Sequence, residues 1–223
     1  MDAIVFDWDG TLFDSLPAIY EANHRVITEL GLPFDDERYR QAYVPDWRLM
    51  YQRLGVPDDA LEDAGRRWIE LYRAAAESGL LPRVQESLQR LVGAGFVLGL
   101  VTAGDRDIVT DQLVRGGLDE LITARVFGTD DIASKPHPEP LLRVLTQLDR
   151  AERIATAHYL GDVPDDMRMA RAVGVVGVGI ESTFASRDVL VAAGASVVFG
   201  SVAEFVDDLL GPADASEATS DAA

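Results

Sequence analysis

A chain of 223 residues with a formal net charge of −18 carries too much negative charge for a general nucleic-acid binder or a protein that coats anionic membranes. Its hydrophobic fraction of 48% supplies a sizeable core, and its length suits one main domain with an insertion. The negative charge therefore favours small-molecule chemistry as the class of function, and the absence of cysteine excludes disulfides and thiolate metal sites.

The N-terminal segment and the hydropathy of the chain predict a soluble cytoplasmic protein. The sequence opens on an apolar run and then acidic residues, without the basic segment and long apolar stretch of a signal peptide. No stretch reaches the roughly 18 to 20 apolar residues that a membrane-spanning helix needs. We therefore expect neither membrane nor nucleic acid as a partner, and both a monomer and a homodimer remain open.

The first predicted element is a buried strand at residues 4–6, because a continuous apolar run bounded by Asp and Gly is typical of a parallel sheet covered on both faces. It leads directly into the segment FDWDGTLFDS, which holds Asp7, Asp9 and Asp14. Asp14 is predicted to cap a helix or to lie at a hinge. The other two carboxylates require a different explanation.

Helical signals replace the strand pattern between residues 16 and 81. Ser15 is predicted as an N-cap with Pro17 in the first turn, and helices are predicted at 46–54 and 58–78, each followed by a glycine. This segment of about 65 residues is predicted to be an all-helical cap domain inserted into the chain.

Short apolar runs alternate with helical stretches from residue 82 onward, which is typical of an α/β fold with a doubly wound, Rossmann-like parallel sheet. We expect this core to comprise residues 1–15 and 82–210, followed by a disordered acidic tail at 211–223. Strands are predicted within these segments: 96–102, 124–128, 156–162, 175–179 and 196–200.

Polar residues follow several of these strands. Because the carboxyl ends of parallel strands share one edge of a sheet, the residues that follow them are expected to converge there. The candidates are Asp7 and Asp9 after the first strand, Thr102 and Ala103 after the second, and Asp162 with Asp165 and Asp166 after the strand at 156–162.

Lys135 is the only lysine among the 20 basic residues, and it lies in the proline-rich segment SKPHPEP. A compact ammonium in a chain that otherwise uses arginine indicates a site where a planar guanidinium does not fit. Carboxylates about 4 Å apart repel by roughly 4 kcal/mol at an effective dielectric near 20, so the cluster needs positive charge. Oxygen ligands of this kind suit Mg²⁺.

Four segments, DWDGTLFDS, VTAG, SKPHPEP and GDVPDDMRMARAVG, resemble in order the four signature motifs of the haloacid dehalogenase superfamily. The resemblance is to the branch of phosphoglycolate-phosphatase-like and β-phosphoglucomutase-like proteins, and it runs from residue 4 to about 180 with the insertion where that branch has its helical cap. Trp8, Asp105 and Arg106 depart from the usual pattern, which leaves the substrate open.

The resemblance implies a covalent mechanism. Asp7 would attack phosphorus to form an aspartyl-phosphate, and Asp9 would protonate the leaving oxygen and then activate water. Thr102 and Lys135 would hold the phosphoryl oxygens, with Ala103 in the same binding loop.

The same resemblance implies a magnesium site. Asp7, the backbone carbonyl of Asp9, and Asp162 would ligate Mg²⁺, and Asp166 would support them. The spacing favours Asp166 over Asp165 without excluding the latter.

The predicted function is a Mg²⁺-dependent phosphatase acting on a small phosphorylated metabolite, such as a phosphoglycolate-like monoester. A β-phosphoglucomutase-type phosphotransferase is the alternative, and a phosphorylation-switch domain is a third interpretation that the inserted helices disfavour. Arg48 is the candidate cation in the cap for the distal end of an anionic substrate.

Overall fold

The computed structural model describes residues 2–44, 46–74 and 78–213. Six strands occur among them: β1 (Ala3–Phe6), β2 (Val97–Val101), β3 (Ile122–Val126), β4 (His158–Gly161), β5 (Val176–Ile180) and β6 (Val197–Phe199). Ten α-helices occur in the same residues: α1 (Leu16–Glu29), α2 (Asp36–Ala42), α3 (Trp47–Arg53), α4 (Leu61–Ala74), α5 (Val84–Gly93), α6 (Arg106–Arg115), α7 (Glu139–Gln147), α8 (Pro164–Val173), α9 (Arg187–Ala193) and α10 (Val202–Leu210).

The strands form one parallel sheet in the order β3-β2-β1-β4-β5-β6. β1 is buried along its whole length and pairs with β2 on one side and β4 on the other. The strand order reverses between β1 and β4, and ligands of such sheets bind in the crevice at that switch point. The predicted α/β class with a doubly wound parallel sheet is confirmed.

Two hydrophobic clusters cover the two faces of the sheet. α5, α6 and α10 contribute residues such as Leu88, Leu113 and Phe205 to one cluster. α7, α8 and α9 contribute residues such as Val144 and Met167 to the other. The sheet is therefore enclosed, and its carboxyl edge is where polar side chains can collect.

Helices α1 to α4 lie between β1 and α5 in the chain and share a third hydrophobic cluster, which includes Ile27 and Tyr51. The chain leaves the core and returns to it side by side, because Asp14 N–H donates to the Gly79 carbonyl at 2.8 Å and Leu81 N–H donates to the Leu12 carbonyl at 2.9 Å. The division of the chain into a core and a cap domain stays a prediction.

Several predicted boundaries differ in detail. The helix expected at 46–54 is α3, and Asp46 is its N-cap, accepting hydrogen bonds from the Arg48 and Leu49 amides. The helix expected at 58–78 begins as a 3-10 turn and continues as α4, while residues 75–77 lie outside the described residues. The same is true of 214–223, the greater part of the predicted tail. Among the described residues, no helix has the length and apolar character needed to cross a membrane.

Candidate active site

Three buried carboxylates meet at the carboxyl edge of β1 and β4. Asp7 directly follows β1, and its amide continues the sheet by donating to the Leu160 carbonyl at 2.8 Å. Asp162 follows β4, and Asp166 lies in the first turn of α8. One carboxylate oxygen from each of these three aspartates lies within 4.8 Å of the others.

Lys135 supplies the positive charge that this cluster needs. Its Nζ donates to Asp7 Oδ1 at 2.6 Å and to Asp166 Oδ1 at 2.9 Å, and the lysine is buried. Burial alone would lower the pKa of Lys135, but Asp166 and Asp7 raise it, so the ammonium stays charged. The Pro-flanked loop therefore delivers one fixed cation between two carboxylates.

Asp166 is held by its own neighbours. The Tyr159 hydroxyl donates to Asp166 Oδ1 at 2.9 Å, and the Val163 amide donates to Asp166 Oδ2 at 3.2 Å. Asp165, the alternative left open by the sequence, pairs instead with Arg168 at 2.5 Å. The geometry therefore brings Asp166, and not Asp165, into contact with Lys135.

The described residues do not balance the remaining negative charge of this cluster. Burial raises the pKa of Asp7 to about 7 against the opposing effect of Lys135, with Asp166 and Asp9 adding repulsion. Burial and the charges of Asp7 and Asp166 raise the pKa of Asp162 well above its ordinary value. Asp162 Oδ2 is buried and, within the described residues, has no hydrogen-bond partner.

These features fit a bound divalent cation. Oxygen ligands alone, one of them an orphaned carboxylate oxygen, are the donors that Mg²⁺ takes. Gly10, at φ +77°, keeps the space beside this oxygen open, because a Cβ there would lie 2.5 Å from Asp162 Oδ2.

The loop after β2 faces the same region. Thr102 is buried, and its Oγ1 accepts a hydrogen bond from the Gly104 amide at 2.9 Å, so its own proton is free to be donated elsewhere. A Cβ on Gly104 would lie 3.1 Å from Thr102 Oγ1 and 3.6 Å from Asp9 Oδ2, so these two oxygens border one space. Ala103 is exposed in this loop, and its amide donates to no acceptor among the described residues.

Asp9 is half-buried and receives a hydrogen bond at Oδ1 from the Ser15 hydroxyl at 2.5 Å. Burial raises the pKa of Asp9, while the Ser15 hydrogen bond and Lys135 lower it. The predicted capping role of Ser15 is wrong in one respect: Ser15 occupies the N-cap position of α1, but its side chain makes no capping hydrogen bond. The Ser15 hydroxyl donates to Asp9 instead.

Arg48 makes no contact with the carboxylate cluster or with Lys135. Its guanidinium pairs with Glu62 at 2.8 Å and lies over the Trp47 ring at 4.4 Å, on an exposed side of the helices. A role for Arg48 in substrate binding stays a prediction.

Sequence reasoning missed Tyr159 and Tyr43. Tyr159 lies inside β4, where an aromatic residue is indistinguishable from core packing until its hydroxyl is seen on Asp166. Tyr43 stacks on Phe184 at 4.4 Å, which joins the loop after α2 to the loop after β5. Burial raises the pKa of Tyr43 well above its ordinary value, and Asp162 and Asp7 add to the effect.

The chain is similar to known proteins along most of its length. The family model described as haloacid dehalogenase-like hydrolase matches residues 4–180. A phosphoglycolate phosphatase from Synechococcus elongatus is 30% identical over 197 residues, which cover 86% of this chain and 90% of the relative.

Two solved structures also match, each at 25% identity and each covering 94% of this chain and 98% of the other. One is a hydrolase from Pseudomonas syringae with a TM-score of 0.83, and the other is a candidate β-phosphoglucomutase from Thermotoga maritima with a TM-score of 0.73.

The chain belongs to the haloacid dehalogenase-like hydrolase family. It is accordingly an enzyme, and it falls with the phosphoric monoester hydrolases of that family. The resemblance stated from the four sequence motifs is confirmed.

Proposed function

We propose that this protein is a Mg²⁺-dependent phosphatase that hydrolyses a small phosphate monoester through an aspartyl-phosphate on Asp7. The observation that carries the proposal is the buried cluster of Asp7, Asp162 and Asp166 with Lys135 between two of its members. A buried set of like charges is costly to keep unless a bound cation and an anionic ligand use it.

In the first step a carboxylate oxygen of Asp7 attacks phosphorus, and the bond from phosphorus to the leaving oxygen breaks. Lys135 donates to Asp7 Oδ1, which leaves Oδ2 as the oxygen available for attack. Asp9 gives a proton from Oδ2 to the leaving oxygen, so that an alcohol departs. The Thr102 hydroxyl and the Ala103 amide hold phosphoryl oxygens, since both have a proton available to donate.

In the second step water attacks phosphorus of the aspartyl-phosphate. Asp9, now a carboxylate, takes the proton from that water, inorganic phosphate is released, and the Asp7 carboxylate is restored. Asp9 therefore acts first as an acid and then as a base. Lys135, hydrogen-bonded to Asp7 and Asp166, holds the nucleophile in place.

Asp7, the backbone carbonyl of Asp9, and Asp162 are the proposed magnesium ligands, with Asp166 fixing Lys135 beside them. When bound there, Mg²⁺ supplies positive charge that reduces repulsion between the carboxylates and the phosphoryl oxygens. The unpartnered Asp162 Oδ2 supports this assignment.

Helices α1 to α4 are proposed to form the cap over this edge. Tyr43, stacked on Phe184 of the core, would then line the space for the leaving group. A small phosphorylated metabolite such as phosphoglycolate is the proposed substrate class, in keeping with the phosphoglycolate phosphatase relative.

The test is a panel of small phosphate monoesters assayed with Mg²⁺ and again with EDTA. We expect release of inorganic phosphate that needs Mg²⁺ and that falls about 10⁴-fold or more in Asp7→Asn, because the nucleophile is lost. Asp111→Asn is the matched control, since Asp111 pairs with Arg115 on the exposed surface of α6. Full activity in Asp7→Asn would refute the proposed mechanism.

A β-phosphoglucomutase-type phosphotransferase is the second candidate, favoured by the likeness to the Thermotoga maritima structure. It would share the aspartyl-phosphate but return the phosphoryl group to a sugar. Isomerisation of a sugar phosphate without net release of phosphate would favour this candidate over the phosphatase.

A further inference from the structure

A buried hydrogen-bond chain joins helix α4 to the loop that carries the proposed nucleophile. The indole Nε1 of Trp8 donates to Gln112 Oε1 at 2.7 Å, and Gln112 Nε2 donates to the Tyr72 hydroxyl at 3.0 Å. Trp8 is the residue between Asp7 and Asp9, Gln112 lies on α6, and Tyr72 lies on α4. All three linked side chains are buried.

Aromatic packing fixes both ends of this chain. The Trp8 ring stacks on Phe13 with centroids 5.2 Å apart, and the Tyr72 ring stacks on Trp68 with centroids 4.8 Å apart. Because an unpaired indole N–H or amide would be costly in this setting, each polar group must keep its partner. The position of Tyr72 is therefore tied to the position of the residue next to Asp7.

Ser15 holds the Asp9 side chain. The Ser15 hydroxyl donates to Asp9 Oδ1 at 2.5 Å, which leaves Asp9 Oδ2 facing the loop after β2. The hydrogen bonds through Trp8 and Gln112 connect the same loop to Tyr72 on helix α4.

We propose that Tyr72 of helix α4 is a positioning residue for Asp9, acting through Gln112 and Trp8, the residue that precedes Asp9. The inference rests on the proposed function, in which Asp9 is the acid and base. The catalytic loop is then held in its working geometry only while α4 is seated on the core. Tyr72 itself does not touch the substrate.

Tyr72→Phe is the variant that removes the hydroxyl and nothing else. Tyr51→Phe is the matched control, because Tyr51 is also a buried tyrosine of these helices but its hydroxyl donates to Asn23 at 3.0 Å and not to Gln112. We expect kcat on the best phosphate ester to fall about tenfold in Tyr72→Phe with KM nearly unchanged. The control is expected to lower the unfolding midpoint to a similar extent and to leave kcat alone.

A double-mutant cycle tests whether Tyr72 acts through Gln112. Gln112→Leu deletes the amide that joins Tyr72 to Trp8. If Tyr72 works through Gln112, the double variant loses no more kcat than Gln112→Leu alone. Gln112→Glu, whose carboxylate can accept from both the Trp8 indole and the Tyr72 hydroxyl, is expected to restore most of the activity.

Each result counts for or against the inference. Equal kcat in Tyr72→Phe and the wild type, the same loss in Tyr51→Phe, a change in KM alone, or additive losses in the cycle would overturn it. These failures are distinct from failure of the proposed function, which would appear as an inactive wild type or as an Asp7→Asn variant that still turns over. With those two checks passed, only the positioning role is at stake.

Discussion

Charged residues at the carboxyl edge of the sheet and charged residues on helices α1 to α4 lie in opposite environments. At the sheet edge, the side chains of Lys135, Asp7 and Asp166 are 4%, 8% and 0% exposed. On the helices, the paired side chains of Arg48 and Glu62 are 53% and 65% exposed. The two regions thus contain ion pairs of similar length and very different solvation.

This difference in solvent exposure distinguishes charges that serve function from charges that serve solubility. Exposed ion pairs contribute little to stability because water and salt already screen them. Buried charges lose their hydration, so a fold retains them where they perform chemistry or hold a ligand. The sheet edge is therefore where substitutions should matter most.

After loss of the nucleophile Asp7, removal of Lys135 should have the largest effect. Lys135→Met leaves Asp7 and Asp166 buried without their cation, so we expect activity to fall about 10³-fold and stability to fall by about 3 to 5 kcal/mol unless the carboxyls take up protons. Lys135→Arg keeps the charge but not the compact shape, and we expect it to rescue stability better than activity. Steady-state kinetics and urea unfolding measure both quantities. Arg67→Met, which breaks an exposed pair with Glu29, is the control that should change neither.

The carboxylate cluster should also make stability depend on pH when Mg²⁺ is removed. The pKa of Asp7 is raised to about 7 and that of Asp162 is also raised, so between pH 4 and 7 the folded state binds more protons than the unfolded state. Stability therefore falls as pH rises through this window. In EDTA the unfolding midpoint should be higher at about pH 5.5 than at about pH 8, and Mg²⁺ should raise it more at the higher pH.

Asp162→Asn checks the origin of that dependence, because it removes one of the like charges. We expect a smaller difference between the two pH values in EDTA and a smaller response to Mg²⁺. Lys135 does not contribute in this window, since its raised pKa leaves it charged in both states. A wild-type midpoint that rises with pH would contradict the cluster as described.

The sheet edge could be predicted from sequence because covalent order and parallel topology decide it together. Asp7 directly follows β1 and Asp162 directly follows β4, and parallel neighbours bring those ends together whatever the details of packing. The direction of the Ser15 side chain could not be predicted in this way. An N-cap position and a partner for Asp9 are both compatible with a serine there, and only tertiary geometry distinguishes them.

The face that each inserted helix turns to the core could not be predicted either. Periodicity identifies the apolar side of a helix, but the side toward the active site depends on how the helices pack on one another. Tyr43 lies in the loop after α2, where periodicity carries no information. The sequence therefore could not show whether Arg48 faces the active site.

Substitution of Tyr43 should have an effect of moderate size. Tyr43→Ala removes the stack on Phe184 and opens the proposed leaving-group space, so we expect KM to rise about tenfold while kcat changes less. Tyr43→Phe keeps the stack and should lie between this variant and the wild type. Unchanged KM in both variants, measured on the best substrate of the panel, would remove Tyr43 from the substrate space.

Arg48→Ala should have the smallest effect, and it decides between the sequence-based interpretation and the contacts. As a distal cation Arg48 would raise KM for a dianionic or carboxylated ester when lost, by about tenfold or more. Its pairing with Glu62 and its position over Trp47 instead favour a change in KM of less than about threefold.

The control is Arg67→Ala, which removes the same charge and also breaks an exposed ion pair. A KM increase confined to Arg48→Ala, and confined to esters with a second negative charge, would show that the helices rearrange around substrate and bring this guanidinium into the site. Equal small changes in both variants would leave selection of the leaving group to residues other than Arg48, with Tyr43 and Phe184 as the candidates.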